Sequence, residues 1–302
     1  MAGLLQCVPN FSEGRRREVV DRIVHAIDSA SGAQVVDHSM DPDHNRCVVT
    51  FIGDPAEVRA SMFAGAAAAT ELIDITRHEG GHPRIGATDV VPVVPLEGVT
   101  MDEAIALARQ IGRDIAEKLG IPVYFYERCA TREECVNLAT IRKGGYEALR
   151  QHGLTGDRAP DLGPTELHPT AGATVVGARG PLIAYNVNLA TDDIHPARVI
   201  AAKIRRLRDT GEGMAGVKAI AVFLRSRRIA QVSTNITQPH LTGIYDVYSF
   251  VEREAKAMGV EVLESELIGA LREEAVVDAA RSAMKFADLT RKRVLEWWIR
   301  QR

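Results

Sequence analysis

The chemically versatile side chains of this chain concentrate in one glycine-rich stretch, residues 77–89, which reads RHEGGHPRIGATD. His82 lies there between a glycine and a proline, and an imidazole with an ordinary pKa of about 6.5 can accept and donate a proton at neutral pH. Arg84 can hold a carboxylate, and Asp89 can orient the imidazole. The stretch predicts a loop in which His82 is a general acid and base, with Arg84 and Asp89 as binding or orienting groups.

A metal site is the competing interpretation, because residues 78–82 spell H-E-x-x-H. That pattern binds zinc when it lies on a helix. Two consecutive glycines disfavour a helix by about 2 kcal/mol relative to alanine. Pro83 also disfavours the α conformation at His82. We therefore predict a loop and no metal, and keep a metal-dependent amidohydrolase as an alternative that chelation would test.

Three other segments carry candidate ligand-binding groups. Arg46 stands at the end of the polar loop DHSMDPDHNR, directly before an apolar run, and is placed to reach a ligand. The small-residue stretch GATVVGAR fits neither a phosphate loop nor a dinucleotide fingerprint. It predicts a wall for a flat ring system, with Arg179 available for an anionic tail. Asn186 and Asn188 alternate on a strand, so their amides share one face.

Composition limits the class of protein. The 302 residues are 46% hydrophobic and 25% charged, with a net charge of -3, which is ordinary for a globular chain and gives no general attraction to nucleic acid. We expect no signal peptide and no membrane-spanning run. Cys7 and Cys47 lie in apolar runs and are expected to be buried reduced thiols. The expected location is the cytoplasm.

The elements that must position these groups occur twice in the order β-α-β-β-α-β, around a long loop at 151–172. The pattern predicts an α/β (α+β) fold of two similar split β-α-β lobes with a cleft, each lobe a sheet with helices packed on it. Ser12 is expected to cap the first helix, and the prolines of strand 90–95 predict an edge or irregular strand. The predicted segments are strands 4–9, 34–37, 47–52, 90–95, 182–189, 217–224, 229–236 and 260–263, and helices 15–30, 54–75, 192–208 and 243–258.

Several ordered motifs resemble the glutamate formiminotransferase family, which also supplies the first half of formiminotransferase-cyclodeaminase. They are VPNFSEG, HEGGHPRIGATDVVP, GATVVGAR, LIAYNVNL and QVSTNIT, and the similarity spans nearly the whole chain. The resemblance implies an N-terminal formiminotransferase subdomain at 1–179 and a C-terminal one at 180–302. It also implies a ligand tunnel between them and a homodimer.

The resemblance further implies an activity and a site. A formimino group would pass between 5-formimino-tetrahydrofolate and L-glutamate in histidine degradation, with tetrahydrofolate as co-substrate and no metal. His82 falls at the family's catalytic histidine, and Arg46, Arg84 and Arg179 are candidates for the substrate carboxylates. The family often carries an acid at the position of Ser39, for which Asp37 or Asp41 would substitute. The family's folate contacts fall on Gly163, Pro164, Thr165, His168, Pro169, Thr170, Gly172 and Arg179.

Two alternatives to formimino transfer remain at this stage. The sequence does not separate an imino from an oxo group, so transfer of formyl from 5-formyl-tetrahydrofolate to glutamate is one. A non-catalytic folate-binding protein is the other, and it would bind folate without transfer to any amine.

Overall fold

The computed structural model describes residues 3–300, which form two structural units divided between Gly180 and Pro181. We refer to these as the first and second units. Within the described residues, no helix is both long and apolar enough to cross a bilayer. The four cysteines are free and buried, which confirms the expectation for Cys7 and Cys47.

A seven-stranded sheet forms the first unit, in the spatial order β3-β4-(β1, β2)-β5-β7-β6. Strands β1 and β2 are successive pieces separated by two residues, and both pair antiparallel with β4 and with β5. The strands are β1 Leu4–Cys7, β2 Asn10–Phe11, β3 Gln34–Asp41, β4 Arg46–Gly53, β5 Thr88–Glu97, β6 Val123–Glu127 and β7 Thr174–Ala178. The helices are α1 Arg17–Ser29, α2 Pro55–Leu72, α3 Met101–Leu119, α4 Leu138–Ile141 and α5 Gly145–His152.

Helices α1, α2 and α3 pack on one face of this sheet, and alternate strand residues such as Val49 and Val91 point into that core. Asp54 and Thr100 each begin a helix with a complete capping box, as the sequence predicts for Asp54. Strands β4 and β5 are both antiparallel to β1, and β5, β6 and β7 are mutually parallel. The amino ends of β4, β5, β6 and β7 therefore meet at one edge of the sheet.

Two local predictions need correction. The strand that contains the prolines is irregular, as one predicted alternative states, because its register shifts against β1 and β2, but it does not lie at an edge. β5 is an interior strand despite its prolines: Pro92 pairs with Gly177 of β7, and its carbonyl accepts from Val8 N–H at 3.2 Å. Val8 lies in the break between β1 and β2, so the missing proline N–H falls where the ladder is already interrupted. Ser12 does not cap α1, because its hydroxyl donates to the Gly86 carbonyl at 2.7 Å. The adjacent Glu13 carboxylate accepts the N–H groups at the helix entrance instead.

The second unit repeats the order β-α-β-β-α-β in a four-stranded antiparallel sheet, β11-β8-β10-β9. The first unit contains the same spatial order in β3-β4-β1-β5 and extends it with β7 and β6. This confirms the mixed α/β fold of two similar lobes. The strands are β8 Ile183–Leu189, β9 Val217–Leu224, β10 Ile229–Ile236 and β11 Val262–Ile268, and the helices are α6 His195–Thr210, α7 Ile244–Ala257, α8 Glu273–Met284 and α9 Leu295–Ile299.

The long connection before the second unit is largely irregular, as predicted. Between the end of α5 at His152 and the start of β7, these described residues contain one short 3₁₀ turn, Gly156–Arg158, and no helix or strand. Helix α6 begins three residues later than expected, at His195. The Asp193 carboxylate accepts the His195 N–H at 2.8 Å.

Candidate functional site

The loop that carries His82 is fastened to the turn between β3 and β4. The Asn45 amide donates to the Glu79 carbonyl at 3.0 Å, and Gly81 N–H donates to the Asp43 carbonyl at 3.2 Å. A Cβ at Gly80 would lie 2.3 Å from the His44 carbonyl oxygen, so only glycine allows this approach. These contacts bring His82 to the amino end of β4.

Arg46, the first residue of β4, contacts the imidazole directly. Its Nη1 lies 2.7 Å from His82 Nε2. A guanidinium only donates, so Nε2 must accept and the ring must carry its proton on Nδ1. The Pro83 backbone opposes the loss of the ring proton but is the smallest influence on the pKa of His82. His82 is thus held as a neutral imidazole whose one lone pair faces a cation.

The pKa of His82 lies far below its ordinary value. Burial is the largest cause, and the charges of Arg46 and Arg142 and the neighbouring His44 add to it. The prediction of an ordinary pKa is therefore wrong for this arrangement. Residues distant in sequence supply these neighbours, so the loop alone does not reveal them.

Asp89 does not orient the imidazole, contrary to prediction. Its carboxylate forms an ion pair with the Arg142 guanidinium, and its other oxygen accepts from Ile85 N–H at 2.9 Å. Asp89 is only 1% exposed, so it binds Arg142 away from water. Sequence reasoning missed Arg142, which directly follows α4. The only sequence feature that marks this place is the pair Gly144 and Gly145, shortly after Arg142 in the chain. Both glycines have a positive φ, so the chain turns sharply there.

Two guanidiniums of the site are incompletely hydrogen-bonded. The Nε atoms of Arg46 and Arg142 are both buried without a hydrogen-bond partner among the described residues. Burial and the charge of Arg142 lower the pKa of Arg46. The charges of Asp41 and Asp89 favour the protonated Arg46, but these carboxylates are bonded to His44 and Arg142, and a buried charge is costly unless it is paired. The arrangement is suited to receive an anion.

A second histidine flanks His82. The ring of His44 meets that of His82 edge to face, with centroids 6.0 Å apart, and its Nδ1 bonds the Asp41 carboxylate. Burial opposes ionisation of Asp41, but hydrogen bonds from His44 outweigh it and hold the pKa of Asp41 below its ordinary value. Asp41 pairs with Arg46 across the β3–β4 hairpin. Asp37 pairs with Thr50 further along it, and Ser39 stands between the two on β3.

Arg84 is fully engaged by protein groups. It pairs with Glu147 of α5, its Nη1 lying 2.8 Å from the carboxylate, and its Nε donates to His78 Nδ1 at 3.0 Å. His78 Nε2 therefore carries a proton and donates to the Asn45 carbonyl at 2.7 Å. Arg84 and His78 together connect the His82 loop to α5 and to the β3–β4 turn.

The predicted folate segment reaches the same edge of the sheet. His168 and Gly172 exchange backbone hydrogen bonds of 3.1 Å, and Gly172 takes a left-handed φ of 70°. Gly172 pairs with Gly86, where a Cβ would lie 2.0 Å from the Ala173 carbonyl. This part of the segment therefore lies against the residues that follow the His82 loop.

The other half of that segment is more open. Gly163, Pro164 and Thr165 are exposed at the amino end of β6, where the preceding Leu162 carbonyl accepts from Val123 N–H at 2.9 Å. Pro169 is also exposed, and the Thr170 carbonyl accepts from the backbone ahead of the His82 loop.

Arg179 lies at the opposite end of β7. It lies five positions after Thr174, the first residue of that strand, a rise of roughly 16 Å. Its backbone N–H donates to the Val93 carbonyl at 3.0 Å. Arg179 lies beside Tyr126, whose pKa burial raises to about 12. The structure therefore brings His82, Arg46 and the 168–172 turn to one edge and leaves Arg179 at the other.

Asn186 and Asn188 belong to the second unit and share one face of its sheet, as predicted. Asn186 donates to Glu266 at 2.9 Å, and Asn188 donates to Glu264 at 3.0 Å. Gln231 on the neighbouring strand donates to Asn188 Oδ1 at 2.9 Å, so the buried amide of Asn188 is satisfied on both sides.

The H-E-x-x-H letters have no helical geometry. Residues 78–82 follow a 3₁₀ turn and contain no helix, which confirms the loop prediction. Both ring nitrogens of His78 are used in hydrogen bonds. Across residues 3–300, no three His, Cys, Asp or Glu side chains are grouped as a metal site requires.

Comparisons with known proteins agree with the motifs. The N-terminal subdomain of the formiminotransferase domain matches residues 4–179, and the formiminotransferase domain matches residues 184–294. Among similar proteins, a glutamate formimidoyltransferase of Streptococcus pyogenes serotype M1 is 42% identical over 98% of both chains. A glutamate formimidoyltransferase of Thermoplasma acidophilum is 42% identical over 97% of this chain and 96% of its own.

The similarity extends to longer animal proteins. A formimidoyltransferase-cyclodeaminase of Sus scrofa is 41% identical over 93% of this chain but 52% of its own length. The resemblance drawn from the motifs is confirmed, and the chain belongs to the formiminotransferase family.

Proposed function

We propose that this protein transfers a formimino group between 5-formimino-tetrahydrofolate and L-glutamate, forming N-formimino-L-glutamate and tetrahydrofolate, in histidine degradation. The observation that carries this proposal is the neutral His82 imidazole, 2.7 Å from Arg46, whose buried Nε has no hydrogen-bond partner among the described residues. The 42% identity to glutamate formimidoyltransferases supplies the identity of the substrates.

His82 is the proposed general acid and base. Attack by the glutamate amine on the formimino carbon releases a proton, which Nε2 of the neutral ring accepts. A tetrahedral intermediate forms with bonds to both nitrogens. The imidazolium then returns the proton to the folate nitrogen as its bond to the carbon breaks. The carbon keeps its oxidation state, so the reaction needs no redox cofactor, and His82 moves the proton without a metal in this proposal.

Arg46 and Arg142 are the proposed ligands of a substrate carboxylate. Both guanidiniums have buried, unpartnered Nε atoms beside His82. A carboxylate bonded there would satisfy them and place the attached amine near the base. Arg84, already bound to Glu147, would act by holding the loop, and Asp89 by holding Arg142.

The folate-binding role falls on the segment ending at Gly172. We assign folate to Gly163, Pro164, Thr165, His168, Pro169, Thr170 and Gly172, with Arg179 as the partner of a distant carboxylate. We assign residues 1–179 to the N-terminal subdomain and 180–302 to the C-terminal one, in which Asn186 and Asn188 contact substrate. We also propose a cytoplasmic homodimer, and the four free buried cysteines support a reducing compartment.

The test is glutamate-dependent release of tetrahydrofolate from 5-formimino-tetrahydrofolate, with 5-formyl-tetrahydrofolate assayed alongside. We expect release from the formimino donor, unaffected by chelators. A strong preference for the formyl donor would instead identify a formyltransferase. Tight folate binding without transfer to glutamate would contradict both activities.

A further inference from the structure

Both nitrogens of the His82 ring are occupied in this structure. Nδ1 carries the proton of the neutral ring, and Nε2 accepts from Arg46 at 2.7 Å. Nε2 is therefore the only atom of the ring that can take up a proton, and a guanidinium covers it. No proton of a substrate amine can reach this lone pair while Arg46 remains in place.

The hydrogen bond to His82 uses only part of the bonding capacity of Arg46. Arg46 gives one N–H to a neutral imidazole, and its Nε is buried without a partner among the described residues. A carboxylate can accept two N–H bonds from a guanidinium and also adds the attraction of opposite charges, which a neutral imidazole lacks. Asp41 and Asp89, the nearest carboxylates, are already engaged by His44 and Arg142. An incoming carboxylate would thus bind Arg46 better than the imidazole does.

We propose that Arg46 covers the proton-accepting nitrogen of His82 until a substrate carboxylate binds the guanidinium and draws it away. Recognition of the carboxylate and exposure of the base are then one event. The proposal rests on the assigned transferase function, because it makes the acceptor's own carboxylate switch on the base that deprotonates its amine.

The surrounding charges determine the direction of the change. Three groups face the ring with positive or polar N–H character: Arg46 from β4, Arg142 from the residues after α4, and His44 from the β3–β4 turn. Asp41 and Asp89 stand behind His44 and Arg142. A bound carboxylate adds one negative charge to this set and removes a hydrogen bond that favours the neutral ring, so the pKa of His82 rises.

This arrangement has a consequence for specificity. Amines that lack a carboxylate would leave Nε2 covered even when they enter the site. They should therefore fail as acceptors through a low kcat, and not only through a high KM. Water also carries no carboxylate, so it does not draw Arg46 away from Nε2 and is not deprotonated by His82.

The experiment follows the His82 ring by NMR in the whole protein with ¹⁵N-labelled histidine, assigned with His82→Gln. Glutarate is the probe, and the uncharged glutaramide is its matched control. We expect no titration of His82 between pH 5 and 8 in the free protein (a range set by the ordinary pKa of about 6.5). Glutarate should bring the titration of His82 into this range, and glutaramide should not.

A second measurement separates uncovering from a simple charge effect. At pH 8, where the ring is neutral, the ¹⁵N resonance of Nε2 should move with glutarate toward that of an unbonded acceptor. A rise in pKa without that movement would overturn the proposal, as would no response to glutarate. Neither result depends on turnover, so both are distinct from a failure of the tetrahydrofolate-release assay.

Variants complete the test. Arg46→Met should show the uncovered resonance without glutarate and no further change with it. Arg22→Met, on the exposed face of α1, should behave as the unmodified protein. If Arg46→Met does not fold, Arg46→Lys serves. It retains the charge without the bidentate fork, and a glutarate response as large as that of the unmodified protein would contradict the role of Arg46.

Discussion

The two units share a strand order, but Asn188 in the sheet of the second unit and the two arginines at the sheet edge of the first differ in how they are hydrogen-bonded. In the second unit, Asn188 lies within a ladder that also contains Glu264 and Gln231, and both ends of its amide are bonded. In the first unit, Arg46 and Arg142 remain buried with unpartnered Nε atoms beside a neutral histidine. Polar side chains that hydrogen-bond one another stabilise a sheet, whereas a buried polar atom without a partner can hydrogen-bond a ligand.

The physical origin of the difference lies in the added loops. The second unit joins its strands through helices and short turns. In the first unit, segments before β4, β5 and β7 meet at one edge and are held together by close backbone contacts at Gly80 and Gly86. Such contacts hold the Arg46 and Arg142 guanidiniums near each other despite their mutual repulsion. The packing of the rest of the fold offsets the cost of that repulsion.

The largest effect should come from removing the base of the first unit. His82→Ala is expected to lower kcat by about a thousandfold or more, because proton transfer by a positioned side chain contributes 10²–10⁴-fold. The rate of tetrahydrofolate release measures it. His240→Ala, an exposed histidine of the second unit, is the control and should keep full activity. Near-normal turnover in His82→Ala would remove the catalytic role from this edge of the sheet.

Arg142→Met should raise the KM for glutamate by roughly 10- to 100-fold, the value of a hydrogen bond to a charged group. It also leaves Asp89 as an unpaired buried carboxylate, which lowers the free energy of unfolding. Asp89→Asn/Arg142→Met should recover stability but not KM. Arg227→Met, which removes an exposed ion pair of the second unit, is the matched control. Equal KM values in the two single variants would contradict the comparison.

Gly86→Ala tests the close contact that joins the His82 loop to the 168–172 turn. The new Cβ would lie 2.0 Å from the Ala173 carbonyl, so the backbone must shift. We expect a loss of about 1–3 kcal/mol in the free energy of unfolding, measured in urea, together with reduced turnover. Gly180→Ala meets open space and should have no effect on either quantity. Unchanged stability in Gly86→Ala would show that the contact is not required.

Asn188→Ala probes the satisfied network of the second unit. Removing the amide leaves Gln231 and Glu264 each without one bond, which should lower the free energy of unfolding by about 1–2 kcal/mol. The KM for either substrate should change less than in Arg142→Met. A larger KM effect would place the main ligand contacts in the second unit and reverse the comparison.

Much of the framework follows from the sequence because its causes are local. Helix α2 begins at Asp54 because an aspartate and a proline satisfy the first turn, and both features are neighbours in the chain. The glycines at 80 and 81 exclude a helix for the same reason. Pro92 misleads, because the break that accommodates it lies in β1 and β2, some eighty residues earlier.

The contacts of the site are harder to predict from the sequence, because they join residues that are far apart in the chain. His82 and Arg46 are individually recognisable, but their contact depends on the folding of the β3–β4 turn against the loop. Arg142 arrives from a short helix without a motif, and its partner Asp89 was assigned to the wrong group. The charges that shift the pKa of a histidine belong to several segments of the chain, so its environment is known only when the fold is known.

The smallest predicted effect concerns His78, the other histidine of the H-E-G-G-H letters. Burial and the Arg84 charge lower its pKa, and both ring nitrogens are bonded as a neutral imidazole requires. Because the folded state disfavours protonation, the stability that His78 contributes is complete above its unfolded pKa of about 6.5 and is lost as pH falls below it.

His78→Gln keeps a donor and an acceptor but does not titrate. Between pH 7.5 and 5, its free energy of unfolding should therefore fall less steeply than that of the unmodified protein, by at most about 1.4 kcal/mol per pH unit. Urea unfolding at both pH values measures the difference, with His240→Gln as the control that should follow the unmodified protein. Parallel slopes for His78→Gln and the unmodified protein would mean that the bonds to Arg84 and Asn45 do not hold the loop, and that its position depends on the glycine contacts alone.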